Sequence, residues 1–187
     1  FSAKQDPFLK TDWRQLTQKG SYQLSAYVHQ PDAKLAEDTQ RETRGGLVGS
    51  GEFRFDAWDV DFSLQEASDD LFFKRYKISD SARLENRLTA TRLWDTQELT
   101  LEARTFRNTV DAEVAATVDS LLPSLTHQIY FDAAVLGGQL DMTHRLTQET
   151  RDLGIDVSHL QSQLDWAWRE VSQGGLVWEA NNRLVLD

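Results

Sequence analysis

The chain has 187 residues, enough for one ordinary domain, and a formal net charge of −10, which argues against nucleic acid as a partner because phosphate recognition needs a basic patch. It contains no cysteine, which excludes disulfides, thiolate nucleophiles and Cys-ligated metal sites. No run of about eighteen apolar residues exists, which excludes a transmembrane helix but not a membrane β-barrel, whose strands are only half apolar.

Taken in chain order, the sequence alternates with a period of two almost throughout. Residues 1–5 read as a strand stub, and 8–17 and 21–29 as two full strands joined by Gln18-Lys19-Gly20. After a long connection over 30–44, "LVGSGEFRF" sets Leu47, Gly49, Gly51, Phe53 and Phe55 against Val48, Ser50, Glu52 and Arg54. Asp56-Ala57 makes a short turn into "WDVDFSLQ", with Trp58, Val60, Phe62 and Leu64 on one face and Asp59, Asp61, Ser63 and Gln65 on the other. A long connection over 67–80 leads to "ARLENRLTA", where Ala82, Leu84, Leu88 and Ala90 share a face that Asn86 interrupts. Trp94-Asp95-Thr96 turns into "ELTLEAR", with Leu99, Leu101 and Ala103 opposite Glu98, Thr100, Glu102 and Arg104. Further strands are expected at 121–131, 138–147, 157–169 and 175–186, separated by a long connection (107–119), an intermediate one (132–137), a longer one (148–156) and the short Val171 to Gly174.

Most of these segments are about nine to twelve residues long. Ordinary strands average about five or six, whereas a membrane-crossing strand needs about nine to eleven. Connections alternate short and long, so tight turns collect at one end of the sheet and loops at the other, the asymmetry of an outer-membrane barrel. Pro7 and Pro31 fall in connections and Pro123 near a strand start, where a missing N–H does no harm. Gly49 and Gly51 lie within a strand, where they could relieve curvature. The expected fold is all-β: an antiparallel up-and-down meander of about ten long strands, part of a transmembrane β-barrel that is open or incomplete as it stands. With Phe1 in place of an initiator Met, no visible signal peptide and an end inside a strand at Asp187, the chain is expected to be one partial barrel domain, 1–187, of a longer protein.

The polar faces carry Lys10, Arg14, Arg54, Arg83, Arg87, Arg104, Arg145, Arg169 and Arg183 among acidic residues such as Asp12, Glu52, Asp59, Asp61, Glu85, Glu98, Glu102, Asp141, Asp165 and Glu179. A mixed, nearly balanced wall of this kind can form cross-strand ion pairs and suits a water-filled lumen; buried unpaired in a sandwich interior it would be very costly. A soluble β-sandwich could still turn this face to water and pack its apolar face on a second sheet. Trp13, Trp58, Trp94, Trp166, Trp168 and Trp178 lie mostly near strand ends, as girdle aromatics do.

The stretch "ASDDLFFKRY" could hold half of a metal or glycosidase site at Asp69-Asp70, but no third carboxylate or His stands at ligand spacing. His29, His127, His144 and His159 are isolated, and there is no HExxH, GxSxG, P-loop or GxGxxG before a helix. No catalytic residue, cofactor or metal site is expected, and the chain reads as a non-enzyme.

The stretch "GSGEFRFDAWDVDFSLQEASDDLFFKRYKISDSARLENRLTATR", Gly49 to Arg92, resembles the barrel domain of the LPS-assembly outer-membrane protein family, LptD, in its alphaproteobacterial form. Trp58, Ser68, Asp69, Asp70, Phe72, Phe73, Arg75 and Tyr76 hold the family's pattern of a Trp-containing turn, a strand, a Ser-Asp-Asp-x-aromatic loop and a basic-aromatic tail. "DPFLKTDWRQLTQKGSYQLSA" resembles the hairpin upstream, and "LLPSLTHQIYFD" and "LGGQLDMTHRLTQETRDLGIDVSHLQSQLDWAWREVSQGGLVWEANNRLVLD" the strands downstream. The resemblance implies an outer-membrane, non-enzymatic role in inserting lipopolysaccharide into the outer leaflet. It implies a plug lipoprotein of the LptE type, a periplasmic bridge protein of the LptA type, outer-membrane lipid as surroundings, and an opening between first and last strands. The family's N-terminal jelly-roll and the cysteines of some relatives are absent here, so disulfide-controlled maturation does not carry over. The Asp69-Asp70 motif then reads as structural, a strand end and loop foot. The readings from another class are a porin or receptor barrel and a soluble periplasmic sandwich that binds a ligand.

Overall fold

A computed structural model describes residues 8–30, 43–81, 83–108, 119–131, 134–151 and 155–187. Ten strands follow one another: β1 (Phe8–Thr17), β2 (Gly20–His29), β3 (Arg44–Phe55), β4 (Trp58–Ala67), β5 (Arg83–Trp94), β6 (Gln97–Asn108), β7 (Asp119–Tyr130), β8 (Gln139–Arg151), β9 (Val157–Val171) and β10 (Val177–Leu186). One short helix, α1 (Phe72–Arg75), interrupts them between β4 and β5. The strands form a single sheet in sequence order, every neighbour antiparallel, with β1 and β10 at its two edges. This is the expected open meander. The expected stub at 1–5 lies outside the described residues.

The strands run from ten to fifteen residues. At roughly 3.4 Å per residue and a tilt of about 40°, even ten residues cross about 26 Å, the height of a barrel's apolar band. Alternation understates several of them: β5 continues to Trp94 and β6 to Asn108, beyond the stretches in which apolar and polar residues alternate cleanly. The connection after β4 holds a helical turn that no sequence periodicity announces. Pro123 sits inside β7 rather than at its start, where the pairing of β7 with both neighbours shifts register. A bulge there spares the ladder the N–H that proline lacks.

The registers fix which side chains share a face. Gly49↔Leu64, Gly51↔Phe62, Phe53↔Val60 and Phe55↔Trp58 belong to the apolar face, and Ser50↔Ser63, Glu52↔Asp61 and Arg54↔Asp59 to the polar one. Gly49 and Gly51 do not simply relieve curvature. A Cβ on Gly49 would stand 2.5 Å from Leu24 Cδ2, and one on Gly51 2.5 Å from Phe62 Cε1, so the glycines make room for their neighbours on the apolar face.

No second layer covers that face among the described residues. Trp13 is 57 % exposed, and Leu9, Leu88, Leu160, Leu184 and Leu186 more than half exposed. The buried apolar residues are Ala67, Phe72, Phe73 and Leu84, all gathered around α1. A sandwich would bury the tryptophans and leucines, so that reading is set aside. A face this oily needs a cover from outside the described residues, as bilayer hydrocarbon covers the outer face of a barrel.

Adjacent residues should therefore respond oppositely to charge. Leu88→Arg, on the bare face at mid-strand, is expected to cost about 2–4 kcal/mol. Thr89→Arg, whose register partners are Asp61 and Glu102, should stay within about 0.5 kcal/mol of the parent. Urea titration of the protein refolded in lipid, read by heat-modifiable gel mobility, measures both.

Candidate functional site

The polar face is a continuous wall of charge. Arg54–Asp59, Arg183–Asp165 and Arg169–Glu179 are directly opposed register partners with contacts of 2.6, 2.6 and 3.2 Å. Arg87 and Arg104 also face each other across β5 and β6, an unfavourable pair by itself. Each turns to an acid instead: Arg87 to Asp61 at 3.5 Å, and Arg104 to Glu85 at 3.6 Å and Glu102 at 2.8 Å. These pairs are largely hydrated, so each adds little to stability. Their effect is to keep the wall charged, paired and wet. On β1–β5 it bounds an open hollow of about 900 Å³ lined by Arg14, Gln23, Glu52, Asp61 and Arg87 among others.

The apolar face has its own order. By register, all six tryptophans lie on it, each in the half of its strand nearest the tight turns. Arg92 stands on the same face between two of them, its guanidinium 5.8 Å from the Trp58 ring centre and 4.7 Å from that of Trp94. A cation held between amphipathic rings suits the headgroup level of a bilayer. Two histidines also fall on this face, and each has a partner: His127 Nε2 meets Gln97 Oε1 at 3.0 Å and His144 Nδ1 meets Ser162 Oγ at 3.0 Å.

The segment Ser68–Ser81 folds back against the wall. The Ser68 N–H donates to the Gly45 carbonyl (2.8 Å) and Ser68 Oγ accepts from the Gly45 N–H (3.0 Å), extending the β3–β4 ladder by one rung. Asp69 Oδ1 accepts from the Leu71 N–H at 3.2 Å, an Asx turn that starts α1, while Oδ2 lies 3.8 Å from Arg44 Nε. Asp70 reaches the other way: its Oδ1 takes Arg107 Nε at 3.1 Å and Nη2 at 3.0 Å. The two adjacent carboxylates thus tie one loop to β3 and to β6. Lys77, at φ 53°, ends the turn.

Phe72 and Phe73 are buried, and Tyr76 stacks on Phe8 at 4.9 Å and meets His29 at 4.9 Å. Phe73 meets Tyr27 edge-on at 6.5 Å. Gly46 permits this approach, since a Cβ there would lie 2.3 Å from Phe73 Cε1. His29 is 7 % exposed.

Of the residues that the family pattern singles out, Ser68, Asp69, Asp70, Phe72, Phe73 and Tyr76 come together here. Arg75 is exposed on α1, and Trp58 stands at the far end of β4, in the tryptophan belt. Arg107, Arg44, Gly46, Leu84 and His29 complete the cluster without any local signal in the sequence. The one visible hint is that Arg107 breaks the alternation of β6. Among the described residues no three His, Asp or Glu side chains converge to hold a metal ion.

The sequence profile of one family, LptD, described as LPS transport system D, matches residues 42–185. No curated protein matches the chain.

Because the loop seats only where the wall has no side chain, Gly46→Val should displace it at a cost of about 1–3 kcal/mol. The exposed Lys74 and Arg75 make the displacement measurable: limited trypsin digestion with mass spectrometry should show faster cleavage after these two residues, with the strands still intact.

Proposed function

Because the chain belongs to the LptD family, we propose that it is a section of barrel wall in an outer-membrane translocon that delivers lipopolysaccharide to the outer leaflet. The observation that carries this reading is a single-layer sheet with a bare apolar face, a tryptophan belt on that face, and an ion-paired polar face bounding a hollow. The role is transport, not chemistry: the wall separates hydrocarbon from a wet lumen through which a polar headgroup can move. Among the described residues β1 and β10 each leave an edge unpaired, and lipid cannot satisfy an open edge, which supports reading residues 1–187 as part of a larger barrel domain. Tight turns lie on the periplasmic side and Ser68–Ser81 on the outer side. A plug lipoprotein of the LptE type in the lumen and a bridge protein of the LptA type in the periplasm are the partners this reading requires.

Within that wall, Ser68, Asp69, Asp70, Phe72, Phe73 and Tyr76 act as a structural foot that holds the loop, and Trp58 as an interfacial anchor. None of them carries a reaction.

Depleting the protein that contains this chain should lower lipopolysaccharide at the cell surface and leave it in inner compartments. An unchanged distribution would overturn the reading. Replacing both Asp69 and Asp70 by Asn should loosen the loop, seen as faster cleavage after Lys74 and Arg75, and slow barrel assembly. Loss of a chemical turnover with the barrel and loop intact would instead reveal a catalytic pair.

A further inference from the structure

Two arginines stand on the apolar face of the described strands: Arg92, in register with Trp58, and Arg107, in register with Leu84. Arg107 has its charge answered, since Asp70 and the Ala67 carbonyl take its N–H groups. Arg92 does not. It makes no hydrogen bond or ion pair with any described residue, Asp56 and Asp95 of the adjoining turns included, and its Nε is buried without a partner. Only rings hold it, Trp58 at 5.8 Å and Trp94 at 4.7 Å. Neither indole N–H donates to a described residue.

A second cation stands on the same rim. Lys19, in the turn between β1 and β2, lies over the Phe55 ring at 5.3 Å, and Phe55 is the register partner of Trp58. The Arg54 N–H donates to the Lys19 carbonyl at 2.6 Å, which fixes that turn against β3. Along the tight-turn rim of the apolar face the order is therefore Lys19, Phe55, Trp58, Arg92, Trp94. Lys19, too, forms no ion pair with a described residue.

The surface beyond Arg92 matters as much. From the turn toward mid-strand the next register pairs on this face are Val60↔Ala90 and Phe62↔Leu88, with no polar side chain. The face thus passes from a cation among amphipathic rings to plain hydrocarbon. A phospholipid has the same profile, phosphate first and acyl chain next. A lone guanidinium is costly against hydrocarbon and tolerable where an anionic headgroup meets it. The ring contacts fix its plane without using its Nη donors, which stay free for phosphate oxygens.

We propose that Arg92, clamped between Trp58 and Trp94, binds the phosphate of a membrane phospholipid in the leaflet at the tight-turn end, with Lys19 as a second cation beside it and the acyl chains lying over Ala90 and Leu88. The site rests on the reading of the apolar face as membrane-facing and of the tight turns as periplasmic. That same reading puts the glycolipid cargo's destination at the other end of the wall, so the occupant here is phospholipid. Bound there, it neutralises a charge for which the described chain offers no partner and holds this rim at the depth of the headgroups.

The test uses the outer-membrane protein that carries this chain, purified in detergent and titrated with dioleoyl phosphatidylglycerol, with bound lipid counted by native mass spectrometry. Arg92→Gln should bind about tenfold more weakly than the parent. Arg145→Gln, which removes one charge from the polar face of β8, should bind as the parent does. Dioleoylglycerol, with the same chains and no phosphate, should bind the parent no better than it binds Arg92→Gln. Equal affinity of parent and Arg92→Gln for phosphatidylglycerol, both with normal heat-modifiable mobility, overturns the site. Displacement of the lipid by millimolar inorganic phosphate would overturn phospholipid as the occupant. A measurement on the parent alone needs no variant to fold: phosphatidylglycerol should raise its unfolding midpoint and dioleoylglycerol should not, and equal shifts would refute a phosphate site. A protein that stays monomeric in water without detergent or lipid would instead overturn the membrane reading itself.

Discussion

The constraint on which this structure depends is that a wall one sheet thick has no interior. Every backbone N–H and C=O must be paired along the ladder, because hydrocarbon offers no substitute, and every side chain must suit one of two solvents. Period-two alternation follows from that at once. So does the scarcity of buried residues: among the described residues the packed cluster, Ala67, Phe72, Phe73 and Leu84, occurs where a loop supplies the second layer that the strands lack. Elsewhere, stability comes from register and from the medium. That is why a polar residue on the apolar face always needs an account. Arg92 has its two rings, His127 and His144 have their hydrogen bonds, and Asn86 and Arg107 have the unpaired backbone of β4.

The polar face solves a different problem. Glu52 opposes Asp61, Asp141 opposes Asp165, and Arg87 opposes Arg104. Arg87 reaches Asp61, Arg183 reaches Asp165, and Arg104 takes Glu102 and Glu85. Pairing across, along and diagonally between strands neutralises locally without building a field of one sign. A lumen lined so is strongly hydrated yet holds no strong trap for an anionic headgroup, which suits passage better than capture.

Much of this was legible in the sequence because strand alternation and turn rhythm are local. The face of Phe62 or Thr89 follows from its immediate neighbours, and the order of the strands from the alternation of short and long connections. Strand ends were harder to read. Glu66, Arg92, Thr105 and Arg107 break the alternation near the ends of β4, β5 and β6, so the pattern fades before the ladder with β3 or β6 does. Helix α1 is a single turn, too short to show a period. The link from Asp70 to Arg107 spans 37 residues, and nothing local pairs them. Gly46 looks like one more strand glycine until Phe73 is seen against it. The residues that spoiled the pattern were thus the ones that bond where the β4–β5 ladder ends and the turn packs.

The aromatic residues divide the wall into two ends of different character. Among the described residues, the aromatics on the apolar face, from Trp13 and Tyr22 to Trp168 and Trp178, all lie in the turn-side halves of their strands. At the loop end the rings lie on the polar face and around α1: Phe8, Tyr27, Phe72, Phe73 and Tyr76 meet one another, and Phe106 stacks under the Arg83 guanidinium. An interfacial belt fixes the depth and tilt of a barrel because its rings resist leaving the headgroup layer. With that belt at one end only, the turn side is anchored and the loop side is not. The parting of β4 from β5 also lies on the loop side, away from the anchored ladder. The β4–β5 ladder ends there at Ser63↔Arg87, and side-chain bonds from Asn86 and Arg107 together with the packed aromatic turn take over the partners that the ladder no longer supplies.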